Sequence, residues 1–491
     1  MNTTTKLMTI LLALMLSATA TAHDFEVDGI YYKINGNRAV VTCRGSYYDS
    51  YDNEYSGSVV IPDSVTYNGT TYPVTAIGAF AFYDCTRLTS VVIPNSVTGI
   101  GESAFDRCTW LTSIDIPDSV TYISSRAFEA TGLTSIVIPN SVTSIGLRAF
   151  GSCSSLTSIV MSNSVTSIES CTFDGCTRLT SFVIPNSVTE IGDYAFRDCR
   201  SLTSIVIPNS VTSIGDEAFE NCTGLTSIDI PNSVTYIGYE AFKNCTGLTS
   251  IDIPNSVTEI DGGAFANCTG LTSIDIPNSV TSIGNEAFYG CTGLTSIDIP
   301  NSVTEIGGGA FENCTGLTSI DIPNSVTYIG YVAFKNCTGL TSIDIPNSVT
   351  FISYEAFSEC SGLTDVYCYI ADLSRVLNWD KQFYLDDGDY SGRTLHVLQG
   401  KADAYRADEK WYPYFEQIVD DLIPETPNGD VNGDGEVTVG DANSVIDVVI
   451  MGGNAGHNRI PEADVNGDGE INIADINAII DIILSQNAKN E

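Results

Sequence analysis

From Cys85 onward, apolar and polar positions recur with a period of 23 residues. Cys85, Cys108, Cys153, Cys176, Cys199, Cys222, Cys245, Cys268, Cys291, Cys314, Cys337 and Cys360 mark one position of the repeat. The interval from Cys108 to Cys153 covers two units, with Ala130 in the cysteine's place and one residue fewer. The unit opening at Cys268 reads CTGLTSIDIPNSVTSIGNEAFYG. Its Leu271, Ile274 and Ile276 have the rhythm of a short strand, with Ile274 and Ile276 inward and Ser273 and Asp275 outward. Pro277 cannot donate to a ladder and ends the strand, and Asn278-Ser279 turn the chain. Val280 and Ile283 are expected to face inward again, Gly284 to permit a tight bend and Ala287-Phe288 to begin the return. One such unit cannot bury its apolar face alone, so the pattern predicts stacked coils with a parallel sheet.

The period is lost at both ends. Residues 23–73, rich in Tyr, Val and Ile, are expected to cap the first coil. Residues 372–422 are expected to cap the last, with Trp379, Phe383, Tyr384, Trp411, Tyr412, Tyr414 and Phe415 as lid aromatics. Repeats then occupy 74–371. Residues 423–428, with Pro424 and Pro427, read as a linker.

Beyond the linker, two segments repeat at an offset of 34 residues, DVNGDGEVTVGDANSVIDVVI from Asp430 and DVNGDGEINIADINAIIDIIL from Asp464. Each opens as a twelve-position calcium loop. In the first, Asp430, Asn432 and Asp434 offer side-chain oxygens, Glu436 its carbonyl, Thr438 a water-mediated contact and Asp441 the closing carboxylate. Asp464, Asn466, Asp468, Glu470, Asn472 and Asp475 repeat the set. Hard oxygen donors at this spacing suit Ca²⁺, so two ions are expected. Proline-bearing stretches stand where an entering helix would be. Val445, Ile446, Val449 and Ile450, then Ile479, Ile480, Ile483 and Leu484, give each loop an exit helix.

Charge narrows the partners. Sixty acidic against 21 basic residues leave a formal charge of −39, which excludes the basic patches that nucleic acid or an anionic membrane requires. Residues 1–22 read as a secretory signal peptide, with Lys6, an apolar run Leu7–Leu16 and Ala20-Thr21-Ala22 at the cleavage site. That run is too short to span a bilayer, no later run is long enough, and a secreted, extracellular location is expected. Repeated cysteines in such a setting raise disulfides. Side chains in a stacked column run parallel, however, a poor approach for a disulfide dihedral near 90°. A buried thiol ladder and some pairing therefore both stand. The off-ladder Cys43, Cys171 and Cys368 are no clearer.

The outward residue before each unit's last strand isoleucine forms a column. It runs Val92, Asp115, Val137, Val160, Val183 and Val206, then Asp229, Asp252, Asp275, Asp298, Asp321 and Asp344. Between Arg200 and Arg375 the basic residues are Lys243 and Lys335 alone. This acidic strip reads either as a binding surface for a basic protein or calcium, or as a solvated face that keeps the sheet soluble.

The recurring I-P-x-S-V-T, I-G-x-x-A-F and C-x-x-L motifs resemble the BspA-like leucine-rich-repeat family of bacterial surface and secreted proteins. That resemblance implies an α/β leucine-rich-repeat solenoid that binds a host or neighbouring-cell protein or a glycan. The two loop-plus-helix segments, residues 429–487, resemble a type I dockerin, a small all-α calcium-binding domain that docks onto cohesin modules of scaffold or surface proteins. By that family's pattern the cohesin meets Val439, Gly440 and Ile446, and Ile473, Ala474 and Ile480. These are apolar where cellulosomal dockerins often carry Ser/Thr and a basic residue. Partner docking and a calcium-stapled stability cap both remain open for these helices.

Dockerins are commonly attached to polysaccharide-degrading enzymes, so an accessory subunit of such a complex, or a glycoside hydrolase, must be weighed. Solenoid, caps and dockerin fill nearly the whole mature chain, and the roughly 50 residues around 372–420 are too few for a glycosidase domain. No Ser-His-Asp set, P-loop or dinucleotide fingerprint stands out. A non-catalytic binding protein is the expectation.

Overall fold

The computed structural model describes residues 23–45, 54–378, 381–386 and 388–422, together with 442, 445, 446, 465 and 473–488. The chain divides into two compact units, one of residues up to 396 with 402–419, the other of 397–401 with 420–491.

The first unit opens on an antiparallel meander of Phe25–Val27, Ile30–Asn35 and Arg38–Thr42. Asp28-Gly29 and Asn68-Gly69 link hairpin strands with positive φ at both positions, the backbone that a tight right-twisted hairpin demands. Strand Thr70–Ile77 pairs antiparallel with Ser64–Tyr67 and parallel with Arg38–Thr42, and so turns the meander into the first coil.

The chain then winds into a parallel β-solenoid with repeats of about 23 residues. Most coils contribute to two ladders. One is the expected strand, as in Ser296–Asp298 pairing with Ser319–Asp321. The second was not expected. Ser282–Ile283 pairs with Glu305–Ile306, and that ladder runs on through Tyr328–Ile329 and Phe351–Ile352. Sequence reading placed Ile283 inward, which is correct, but a two-residue strand has one inward side chain and therefore no alternation to detect.

The third side carries neighbouring-coil hydrogen bonds without strand geometry. The amides of Glu286, Phe288 and Gly290 each donate to the next coil, to Gly308, Ala310 and Glu312 oxygens, at 2.8 Å. Glu286 and Gly290 are left-handed at φ 57° and 68°. Asparagine, which tolerates that region better than most residues, fills the second position at Asn221, Asn244, Asn267, Asn313 and Asn336.

The interior is a set of columns. Fourteen phenylalanines from Phe82 to Phe383 stack with centroids 5.0 to 5.8 Å apart. The ladder cysteines are free thiols, and from Cys108 on each donates to a phenylalanine carbonyl of an adjacent coil, as Cys245 does to Phe219 at 3.2 Å. Burial pushes the thiols from Cys108 to Cys314 up, Cys153 to about 11, which keeps them protonated and able to donate. Serines add further rungs, Ser279 Oγ donating to the Val257 carbonyl at 2.6 Å. Coils also approach closely at Gly270, where a Cβ would stand 2.5 Å from the Thr246 carbonyl oxygen.

Both ends of the phenylalanine column are closed. Tyr55 packs on Phe82 at 4.7 Å, and its hydroxyl donates to the Thr42 carbonyl. At the other end Phe383 takes the next place in the stack, and Trp411 and Phe415 lie 5.6 and 5.2 Å from it. Trp379 lies outside the described residues. The guanidinium of buried Arg393 donates to the carbonyls of Cys360, Leu363 and Phe383 at 2.8 to 3.0 Å. It thereby supplies donors to carbonyls at the end of the stack.

In the second unit, helix Ile473–Ala488 is described with four buried residues, Ala442, Val445, Val465 and Ile479. Val445 and Ile479 stand one offset of 34 apart, so each loop-helix segment sends the matching residue of its expected apolar face into one core, with Ile483 packed against it. No helix among the described residues is long and apolar enough to cross a membrane.

Candidate functional site

The strand face carries the outward column as expected. Val137 pairs in register with Val160, Val183 with Val206, and Asp298 with Asp321. Isolated bridges join Asp229, Asp252, Asp275 and Asp298. The column extends further than the sequence showed, with Val60 beside Val92 at one end and Tyr367 beside Asp344 at the other. Its valines are 53% to 69% exposed, an unusual state for six large apolar side chains in one line. Neighbouring carboxylates a strand apart repel by roughly 1 kcal/mol per pair in water. Lys243 and Lys335 do not relieve this, because each bonds a glutamate, Glu240 and Glu355, at 2.6 Å.

The third side collects a different set of charges. Arg148 bridges Glu129 and Asp174 at 3.1 and 3.0 Å, and Arg197 binds Asp174 with two parallel hydrogen bonds. Farther along, carboxylate oxygens of Glu217, Glu220 and Glu240 lie within 4.8 Å of one another. Glu220 is pushed up to about 7, first by burial and then by Glu217. Lys243 supplies a cation there through its bond to Glu240. Sequence reading missed this cluster, since its members come from two coils and meet only on stacking.

In the second unit most predicted ligands, Asp430, Asn432, Asp434, Glu436, Thr438, Asp441, Asp464, Asn466, Asp468, Glu470 and Asn472, lie outside the described residues. So do Val439 and Gly440. Asp475 is described, in the first turn of helix Ile473–Ala488 and fully buried. A carboxylate without solvent needs a cation or donors around it. The oxygen-only donor set at these spacings fits calcium. Of the expected docking residues, Ile473 is 71% and Ile480 42% exposed, while Ile446 and Ala474 are half-buried.

Comparison with known proteins bears directly on this geometry. The profile described as BspA type leucine rich repeat region matches in six copies, over residues 75–203, 189–294 and 258–374. The chain belongs to the BspA-type leucine-rich-repeat family. Its C-terminal residues 428–484 match the dockerin type I domain, a calcium-binding module. Among solved structures, the BspA-type solenoid is similar to a leucine-rich repeat protein from Bacteroides ovatus, with 27% identity and a TM-score of 0.58 over 81% of this chain and all of that one. It is similar to a leucine rich cell surface protein from Faecalibacterium prausnitzii, with 32% identity and a TM-score of 0.46 over 72% and 96% of the two chains. The pneumococcal vaccine antigen PcpA shares the fold at 20% identity and a TM-score of 0.50, over 81% and 98%. No curated protein matches the chain.

Leucine-rich-repeat solenoid and dockerin are both non-catalytic folds. Together they make a protein-binding, dockerin-anchored chain.

Proposed function

We propose that the chain is a secreted, non-catalytic recognition protein. Its solenoid binds a protein or glycan, and its dockerin attaches it, with calcium, to a cohesin-bearing scaffold or surface protein. The observation that carries the attachment is the dockerin match over 428–484, with Ile473 and Ile480 left exposed along the first half of a helix whose Asp475 and Ile479 are buried. One ion binds in each loop, through the twelve residues named from the spacing. The leader 1–22 directs export. Cap 23–73, repeats 74–371, cap 372–422 and linker 423–428 divide the remainder.

The test is capture of the full chain on an immobilised type I cohesin module, with calcium and again in EDTA. Capture in calcium alone supports attachment. Failure to bind in calcium leaves the second unit as a stability cap. Recovery of the captured chain beside polysaccharide-degrading subunits on one scaffold would assign it the accessory role in such a complex. Turnover of a polysaccharide by the purified chain would contradict the non-catalytic reading.

A further inference from the structure

The repeat is most regular from Cys222 to Cys360 and least regular from Cys108 to Met161. The unit at Cys108 is one residue short, Asp118 stands where the regular unit has Asn278, and Met161-Ser162 replace Ile276-Pro277. Asp118 and Met161 both line a cavity of about 520 Å³ on the strand face, with Asp115, Val137, Val160 and Asn140 among its other walls. In the same strand as Val160, Ile159 is only half-buried, although Ile136 and Phe182 in the flanking coils are 4% and 2% exposed. The regular packing of the coil is thus opened where the repeat departs from itself.

The cavity interrupts the line of exposed valines. Val60 and Val92 lie on one side of Asp115, and Val137, Val160, Val183 and Val206 on the other. Its lining holds two carboxylates, Asp115 and Asp118, and no cation. Along the same column the face then continues into aspartates from Asp229 to Asp344, with Lys243 and Lys335 both engaged by glutamates. Such a face draws a basic partner toward it and offers it an apolar landing.

We propose that the valine stretch, rather than the aspartate column, is the docking core for a protein partner whose contact surface is an apolar ridge bearing lysine or arginine. The ridge lies along the exposed valines, and one basic side chain enters the cavity. Its aliphatic stem packs on Val137, Val160 and Met161, and its charged head meets Asp115 and Asp118, the division of labour that long cationic side chains favour. The aspartate column steers the approach and remains solvated. This rests on the reading of the solenoid as a recognition module, and it specifies where and what that module binds.

The test pans the full chain against a phage-displayed library of random dodecamer peptides and measures binding of the enriched peptides to variants. The expected peptides carry Lys or Arg flanked by Val, Ile, Leu or Phe. Val160→Asp and Asp115→Asn are each expected to weaken the best peptide about tenfold, and Asp298→Asn less than about twofold, as for an anchor against a distant charge. All three positions are exposed, so a Tm no lower than the parent's verifies that the variants fold. Peptides that bind Val160→Asp as well as the parent overturn this docking site while leaving solenoid recognition intact. Peptides without a basic residue also overturn it. An absence of peptide enrichment, with retention of a neutral polysaccharide by the chain, overturns the protein partner in favour of a glycan. An absence of both removes the recognition reading itself.

Discussion

The two halves of the strand face share one backbone and differ in one column. From Val60 to Val206 that column is almost wholly valine, and from Asp229 to Asp344 it is aspartate, yet Val183 meets Val206 in the same register in which Asp298 meets Asp321. Along the phenylalanine and cysteine columns the halves are alike. Phe150 and Phe242 are both fully buried in one continuous stack, and Cys153 and Cys245 both donate to a phenylalanine carbonyl. The coil therefore dictates where the outward side chain stands and places almost no demand on what it is. Stability resides in the columns behind the sheet, and the outward column is left for solubility or recognition.

The largest effects should fall on the interior and be equal in both halves. Phe150→Ala and Phe242→Ala are each expected to cost about 3–5 kcal/mol, seen as matching drops in Tm. Clearly unequal losses would mean that the halves differ behind the sheet as well as on it. Arg393→Ala strips three carbonyls of a donor and is expected to cost about 3 kcal/mol. The loss should show as faster amide exchange in the last coils next to Arg393, with Phe105 and Phe128 unaffected.

Outward substitutions should be small and of opposite origin. Asp275→Asn relieves two neighbours, so it should stabilise by up to about 1 kcal/mol per pair at low salt, and the gain should fade as salt rises. Val183→Asn, at the matching position, should change stability by less than about 0.5 kcal/mol at any salt. A salt-dependent effect at Val183 would erase the distinction between the halves.

The smallest expected effect is on pH dependence. Burial and Glu217 hold the Glu220 carboxyl at about 7, above its unfolded value, so the folded state retains that proton more firmly. The favourable contribution is complete below the unfolded value and is lost as pH rises through 7. Glu220→Gln should therefore raise Tm at pH 8 and leave it unchanged at pH 4. An equal shift at both values would assign the effect to packing instead.

Legibility in the sequence tracked the length of each signal. Phe288, Ile274 and Cys291 recur a dozen times, so the coil, its inward residues and its outward column could be read directly. Ser282–Ile283 could not be read as a strand, because a single inward isoleucine carries no period. The left-handed positions left a partial trace in the asparagines before the cysteines, but Glu217, Glu240 and Val332 occupy the same conformation without any compositional sign. Arg393 sits in an aperiodic segment, and its partners at Cys360, Leu363 and Phe383 are set by the end of the stack. The calcium loops are the reverse case. Their oxygen spacing is explicit in the sequence, whereas of the twelve ligands Asp475 alone lies among the described residues, buried in the first turn of its helix.

Hydrogen exchange of the full chain, in calcium and after its removal by EDTA, tests most directly whether a calcium-built anchor is joined to a solenoid that needs no ion. Amides of helix Ile473–Ala488 should lose their protection in EDTA, while those of Phe288 and Phe311 in the stacked coils remain as slow as before. A helix that keeps its protection without calcium would contradict the account.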